Sequence, residues 1–125
     1  MNARLIWIMA ATLGFLGVAL GAFGAHALKA HLTAAGRVET YELAVRYLFY
    51  HALALFATGF LSERFPHAHV GRAALLLAGG VVLFSGSLLI LSLAGWTGVA
   101  LVTPLGGVLM LAGWAWLIYS LATRR

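Results

Sequence analysis

The chain has no cysteine. That excludes a disulfide framework, a thiolate nucleophile and any cysteine-ligated metal or iron–sulfur centre. It also has no aspartate, and its three acidic residues are Glu39, Glu42 and Glu63, each at the edge of an apolar run. No paired carboxylates, no Ser–His–Asp set and no phosphate-binding glycine loop are therefore available, so hydrolytic and phosphoryl-transfer chemistry is not expected. Charge is scarce throughout: 9% of 125 residues, against roughly 25% in a soluble domain.

Hydrophobic residues fill the space that charge leaves, at 63%. A hydrocarbon core of about 30 Å takes about 20 apolar residues per helix, so the length allows four or five spans and no separate soluble domain. The pattern predicts an all-α protein, an integral membrane four-helix bundle forming a single transmembrane domain over 1–125. Its spans fall at about 5–25, 43–61, 73–93 and 104–122. The first is longer than the 7 to 15 apolar residues of a signal peptide and reads as an uncleaved span. Thr103 is expected to cap the fourth helix, with Pro104 at its first position, where a missing N–H costs nothing. Gly95 to Val102 then becomes a membrane-hugging connection, with Trp96 at headgroup level.

The net charge of +5 is spread singly or in pairs at span ends, not in a patch or stripe, which excludes a nucleic-acid partner. Arg4, Arg64, Arg72, Arg124 and Arg125 flank one side, against Lys29, Arg37 and Arg46 on the other. By the positive-inside rule both termini lie in the cytoplasm.

Small residues at helical spacing mark where helices approach closely in lipid. The first span carries Gly14, Gly17, Gly21 and Gly24 as one stripe, the third Gly79 and Gly86, and the fourth Gly106, Gly113 and Ser120. Packing within the chain is the favoured reading, and a dimer seam the alternative.

Ionisable groups inside spans are costly and are candidate functional sites by default. Ala44, Tyr47, His51, Ala54 and Thr58 share one face of the second span. At about 1.5 Å per residue, His51 falls in the same layer as Gly17, Ser85 and Ser87. His51 is therefore expected to pack over Gly17 and to hydrogen-bond Ser85 or Ser87, with Tyr47 one turn outward. Such a network locks helix register if it is structural, and lines a polar path if it is functional. His26, Glu42 and Arg46 form a second candidate site at the outer surface, Glu42 and Arg46 reading as an interfacial ion pair or, more sharply, as a gate. His26 and His51 differ in depth by roughly 12 Å, too far to share one metal or haem iron, so no cofactor and no metal are expected. His67 and His69 read as a solvated turn.

Several blocks of residues occur in an order that resembles a known family: GAFGAH at Gly21 to His26, Tyr47-x-x-x-His51, LFSGSL at Leu83 to Leu88, TPLGG at Thr103 to Gly107, and Gly113 with Trp114. The chain is similar, nearly end to end, to small bacterial four-span inner-membrane proteins of unknown function, which also have a short animal transmembrane relative. The resemblance implies that His26, Tyr47, His51, Ser85, Gly86, Ser87 and Pro104 belong to the family pattern, while His31, His67 and His69 are peculiar to this chain. Bacterial relatives often carry Gln where this chain has Leu48, which implies a thinner polar site here. The resemblance brings no activity with it. Three readings stand: a non-enzymatic accessory subunit or assembly partner, in a homo-oligomer or larger membrane complex within the lipid bilayer of the cell inner membrane; a small carrier, channel or ligand-binding protein with a polar site at His51; and a haem- or metal-binding redox protein, the weakest of the three.

Overall fold

The computed structural model describes residues 1–123 and contains five α-helices. They are α1 (Ala3–Ala25), α2 (Lys29–Ala35), α3 (Val38–Arg64), α4 (Val70–Ala94) and α5 (Thr103–Ala122). Short 3-10 turns at Pro66–Ala68 and Thr97–Leu101 join α3 to α4 and α4 to α5. All but α2 lie in segments long and apolar enough to cross a bilayer. Arg124 and Arg125, part of the charge count above, lie outside the described residues.

The helix ends have local causes. Asn2 opens α1 by accepting the Leu5 amide at 2.8 Å, the usual work of an N-cap side chain. α2 closes on Gly36 at φ 65°, with the Gly36 amide on the Thr33 carbonyl and the Arg37 amide on Leu32, the paired bonds of a Schellman end. α4 ends on Gly95 at φ 71°, its amide returning to Leu91. The connection between the first two expected spans thus contains a short helix, and α3 begins at Val38, five residues before the second expected span. Thr103 does not cap α5. It lies inside the first turn, which has no side-chain cap, and its hydroxyl sits 2.5 Å from that of Ser87.

Successive spans pack on one another: α1 on α3, α3 on α4 and α4 on α5, whereas α1 and α5 make no comparable interface. The bundle is therefore an open one. Its main core joins Ile6, Ala10 and Leu13 of α1 to Leu48, Ala52 and Leu55 of α3, Ala74, Leu77 and Val81 of α4, and Met110 of α5. At one end, residues 1–3 meet Ser62, Glu63, Pro66 and residues 69–72 around a cavity of about 460 Å³. Trp116 donates its indole N–H to the His69 carbonyl at 3.2 Å, and its ring lies under the Arg72 guanidinium. At the other end, His31 of α2 meets the Leu93 carbonyl at 3.1 Å, satisfying one of the last acceptors of α4.

Glycine sets the close contacts. Along α1, Gly17 faces the Phe49 ring, Gly21 faces Val45 and Gly24 faces the Tyr41 ring, while Gly59 of α3 receives Trp7. Tyr41 anchors this seam by donating its hydroxyl to the Leu20 carbonyl. Gly14, expected on the same stripe, has nothing within 4 Å of where a Cβ would sit. Between α4 and α5 the contacts fall on Gly80, Gly106 and Gly113. The expected pair Gly79 and Gly86 instead points away from the chain, one residue out of phase with Gly80 at the seam.

Candidate functional site

His51 stands at the centre of α3 and is 4% exposed. It shares a buried face with Ala44 and Thr58, each seven residues away, and that face turns toward α4 and α5. His51 does not pack over Gly17. Phe49 does, and two residues along a helix are about 200° apart, so the ring over the glycine stripe and the histidine occupy opposite sides of α3.

Nor does His51 meet either serine. Ser85 donates to the Ala44 carbonyl at 2.8 Å, two turns outward of His51, and pins α4 to α3 there. Ser87 donates to Phe84 at 2.9 Å and takes the Thr103 hydroxyl as donor, tying α4 to α5. The depth count failed because the polar stretch from Val38 to Glu42 is helical, which moves His51 inward relative to the serines.

The partners of His51 lie elsewhere. Its Nδ1 is 3.0 Å from the Tyr47 carbonyl, and the Trp114 indole N–H donates to its Nε2 at 3.3 Å. A carbonyl only accepts and an indole N–H only donates, so the ring is assigned neutral, with its proton on Nδ1. Both nitrogens are then engaged, leaving neither for a metal or haem iron without a rearrangement. Sequence reasoning missed Trp114 as the partner. The signal was present in the Gly113–Trp114 block, but no periodicity within α3 could have indicated which helix would face it.

Around this pair lies a groove of about 440 Å³, lined by Tyr47, Tyr50 and His51 of α3, Phe84 of α4, and Gly107, Met110, Leu111 and Trp114 of α5. Tyr47 is nearly parallel to the His51 imidazole, with centroids 5.9 Å apart, and packs against Phe84 at 4.6 Å. Trp114 meets the imidazole edge-on. Tyr47 lines the groove, and its hydroxyl has no hydrogen-bond partner among the described residues and is not sealed in.

The outer-surface residues are not gathered into one site. Glu42 and Arg46 line a smaller groove of about 210 Å³ over Gly21 and Gly24, and His26, exposed beyond the end of α1, is not part of its lining. Among the described residues no three His, Cys, Asp or Glu side chains form a cluster that could hold a metal ion.

Residues 20–107 match a family model described as a protein of unknown function, DUF423. This chain belongs to that family. The DUF423 segment takes in His51 and most of the groove, and stops short of Trp114. Among similar curated proteins, the UPF0382 inner membrane protein YgdD of Escherichia coli K12 is 42% identical over 117 residues, covering 92% of this chain and 87% of that one. The UPF0382 membrane protein SH2409 of Staphylococcus haemolyticus is 41% identical over 94% of both chains. The UPF0382 membrane protein YwdK of Bacillus subtilis is 38% identical over 90% of this chain and 92% of its own. No solved structure matches. With four spans and these relatives, this DUF423 chain is a multi-pass inner-membrane protein of unknown specific function.

Proposed function

We propose that the protein is a non-enzymatic membrane component, a small bundle serving as an accessory subunit or assembly partner in a homo-oligomer or larger membrane complex. The observation that carries this reading is the outward glycine pair of α4. Gly79 and Gly86 stand seven residues apart with nothing within 4 Å of either Cβ position, and Val82 between them is 57% exposed. Glycine inside a helix costs about 1 kcal/mol relative to alanine, and no helix of the same chain uses the space it opens here. In lipid, small residues on an outer face let a second helix approach closely. The bonding of His51 supports the same reading, since its Nδ1 is held by the Tyr47 carbonyl within α3 and its Nε2 accepts the Trp114 indole N–H, tying α3 to α5.

The reading predicts a mass above that of one chain when the protein is extracted in mild detergent and measured by light scattering. Gly79→Leu with Gly86→Leu should reduce that mass while the helical circular dichroism stays unchanged. A stable monomer with no co-purifying subunit would end it. Both termini are placed in the cytoplasm on this reading, supported by Arg4, Arg64 and Arg72, which flank the end where residues 1–3 meet the α3–α4 turn. A reporter fused after residue 125 should be active only on the cytoplasmic side.

The groove beside His51 favours a second reading, ligand binding. It supports binding over passage across the membrane, because Ser85 and Ser87 are bonded within the helix framework and do not continue a polar path from His51.

A further inference from the structure

The centre of α3 is the middle of a membrane-spanning helix, thirteen residues from either end, so the medium outside the groove at His51 is acyl chain, not water. Tyr50 is 55% exposed, Leu111 71% and Trp114 41%, and these three form its rim. The mouth therefore opens sideways into the bilayer. Anything that occupies it arrives from the lipid phase, and a charged group would be expensive at that depth.

The walls select further. Tyr47, Tyr50, Phe84 and Trp114 present aromatic faces or edges, and Tyr47 has its centroid 4.6 Å from Phe84 and 5.7 Å from Tyr50. Such surfaces favour a flat ring, stacked or edge-on, over a saturated chain. Among the polar groups, His51 is committed to Trp114 and to the Tyr47 carbonyl, whereas the hydroxyl of Tyr47, which lines the groove, has no partner among the described residues. A hydroxyl without a partner in hydrocarbon is costly, so the complementary group is an uncharged acceptor on the occupant. There is room for it. The groove lies within the range of roughly 300 to 1,000 Å³ typical of small-molecule sites, and Gly107 leaves open space where a side chain would otherwise intrude.

We propose that this groove is a lateral site for an uncharged, lipid-soluble ring that carries a carbonyl acceptor, a ligand of the quinone class, with Tyr47 donating the hydrogen bond and Trp114 forming the outer wall. It deepens the ligand-binding reading and rests on it. It is a binding site, and no electron transfer is assigned to it.

The test titrates the full-length protein in lipid nanodiscs with decylubiquinone and, separately, with decylbenzene, which offers a ring without the carbonyl. Tryptophan fluorescence reports quinone binding, and competition for the quinone reports decylbenzene. Saturable quenching is expected, with Trp114→Phe losing the saturable part and Tyr47→Phe weakening apparent affinity about tenfold, as removal of one ordinary hydrogen bond would. Gly107→Leu, at a position where a Cβ meets nothing within 4 Å, puts its side chain into the groove and should abolish binding. Leu111→Trp, which narrows the mouth from an exposed position, serves in its place should that variant not fold. Decylbenzene competing as strongly as the quinone, with Tyr47→Phe without effect, would overturn the carbonyl assignment and leave a general apolar site. Quenching that only rises linearly in every variant is partition into lipid, and defeats the ligand-binding reading as well. A change of oligomeric mass in Gly107→Leu with the quinone response intact would assign the groove to a second chain instead.

Discussion

The two glycine seams of this protein use the same residue for different purposes. Between α4 and α5 the glycines let backbone meet backbone: a Cβ on Gly106 would stand 2.6 Å from the Gly80 carbonyl oxygen and 2.8 Å from the Phe84 Cα, and one on Gly80 would stand 2.7 Å from the Met110 amide nitrogen. Between α1 and α3 the glycines are sockets for rings. A Cβ on Gly17 would stand 2.9 Å from the Phe49 ring, and one on Gly24 or Gly59 would stand closer still to the Tyr41 or Trp7 ring. A ring can tilt or be replaced by a smaller side chain, whereas a helix backbone can yield only by moving the whole helix. The first seam fixes the separation of two helices, and the second fixes their register.

The difference can be broken in order of expected effect. Gly106→Ala should cost most, about 2 to 3 kcal/mol as an overpacked contact, and no truncation on α4 should restore it, as read from thermal unfolding in detergent. Gly17→Ala should cost about 1 to 2 kcal/mol. There, Phe49→Leu in the same chain should recover part of the loss, and a double-mutant cycle measures the coupling. If Gly106→Ala proves as easily compensated as Gly17→Ala, the distinction between backbone contact and socket is wrong.

Two smaller effects mark the limits of the seams. Ser120 closes the series that Gly106 and Gly113 begin, and its hydroxyl is buried without a hydrogen-bond partner among the described residues. Ser120→Ala should therefore raise stability by about 1 kcal/mol, because it removes an unsatisfied polar group and makes no new clash. Gly14→Ala should raise monomer stability, by at most about 1 kcal/mol, the helix cost of glycine relative to alanine, since nothing among the described residues lies within 4 Å of the new methyl. A large loss there would mean that Gly14 faces another molecule.

The four spans were legible in the sequence because a 30 Å apolar solvent imposes a length that hydropathy reads directly. The face shared by Ala44, His51 and Thr58 was legible too, because helical spacing determines which side chains lie together. What could not be read was rotation between helices. Gly17 and His51 occur at compatible depths, but the register of α1 on α3 is set by Tyr41, Val45 and Phe49 seating on Gly24, Gly21 and Gly17, which turns His51 away. The same limit hid Trp114. Hydroxyl-bearing residues looked like the natural partners of His51, yet Ser85 and Ser87 each found nearer acceptors or donors in their own layer. Gly79 and Gly80 show how fine the margin is, since of two adjacent glycines, about 100° apart around α4, one meets α5 and the other meets nothing within 4 Å.

The pairing order of the spans bears on how the protein is made. Each span packs on the one that precedes it in the chain, and most of what α1 packs against lies in α3. Once Arg64 has been synthesised, the Trp7, Phe49 and Tyr41 sockets all have both halves present, before α4 exists. Biogenesis can then proceed from the N-terminus as a succession of nearest-neighbour dockings, each completed as the next segment enters the bilayer.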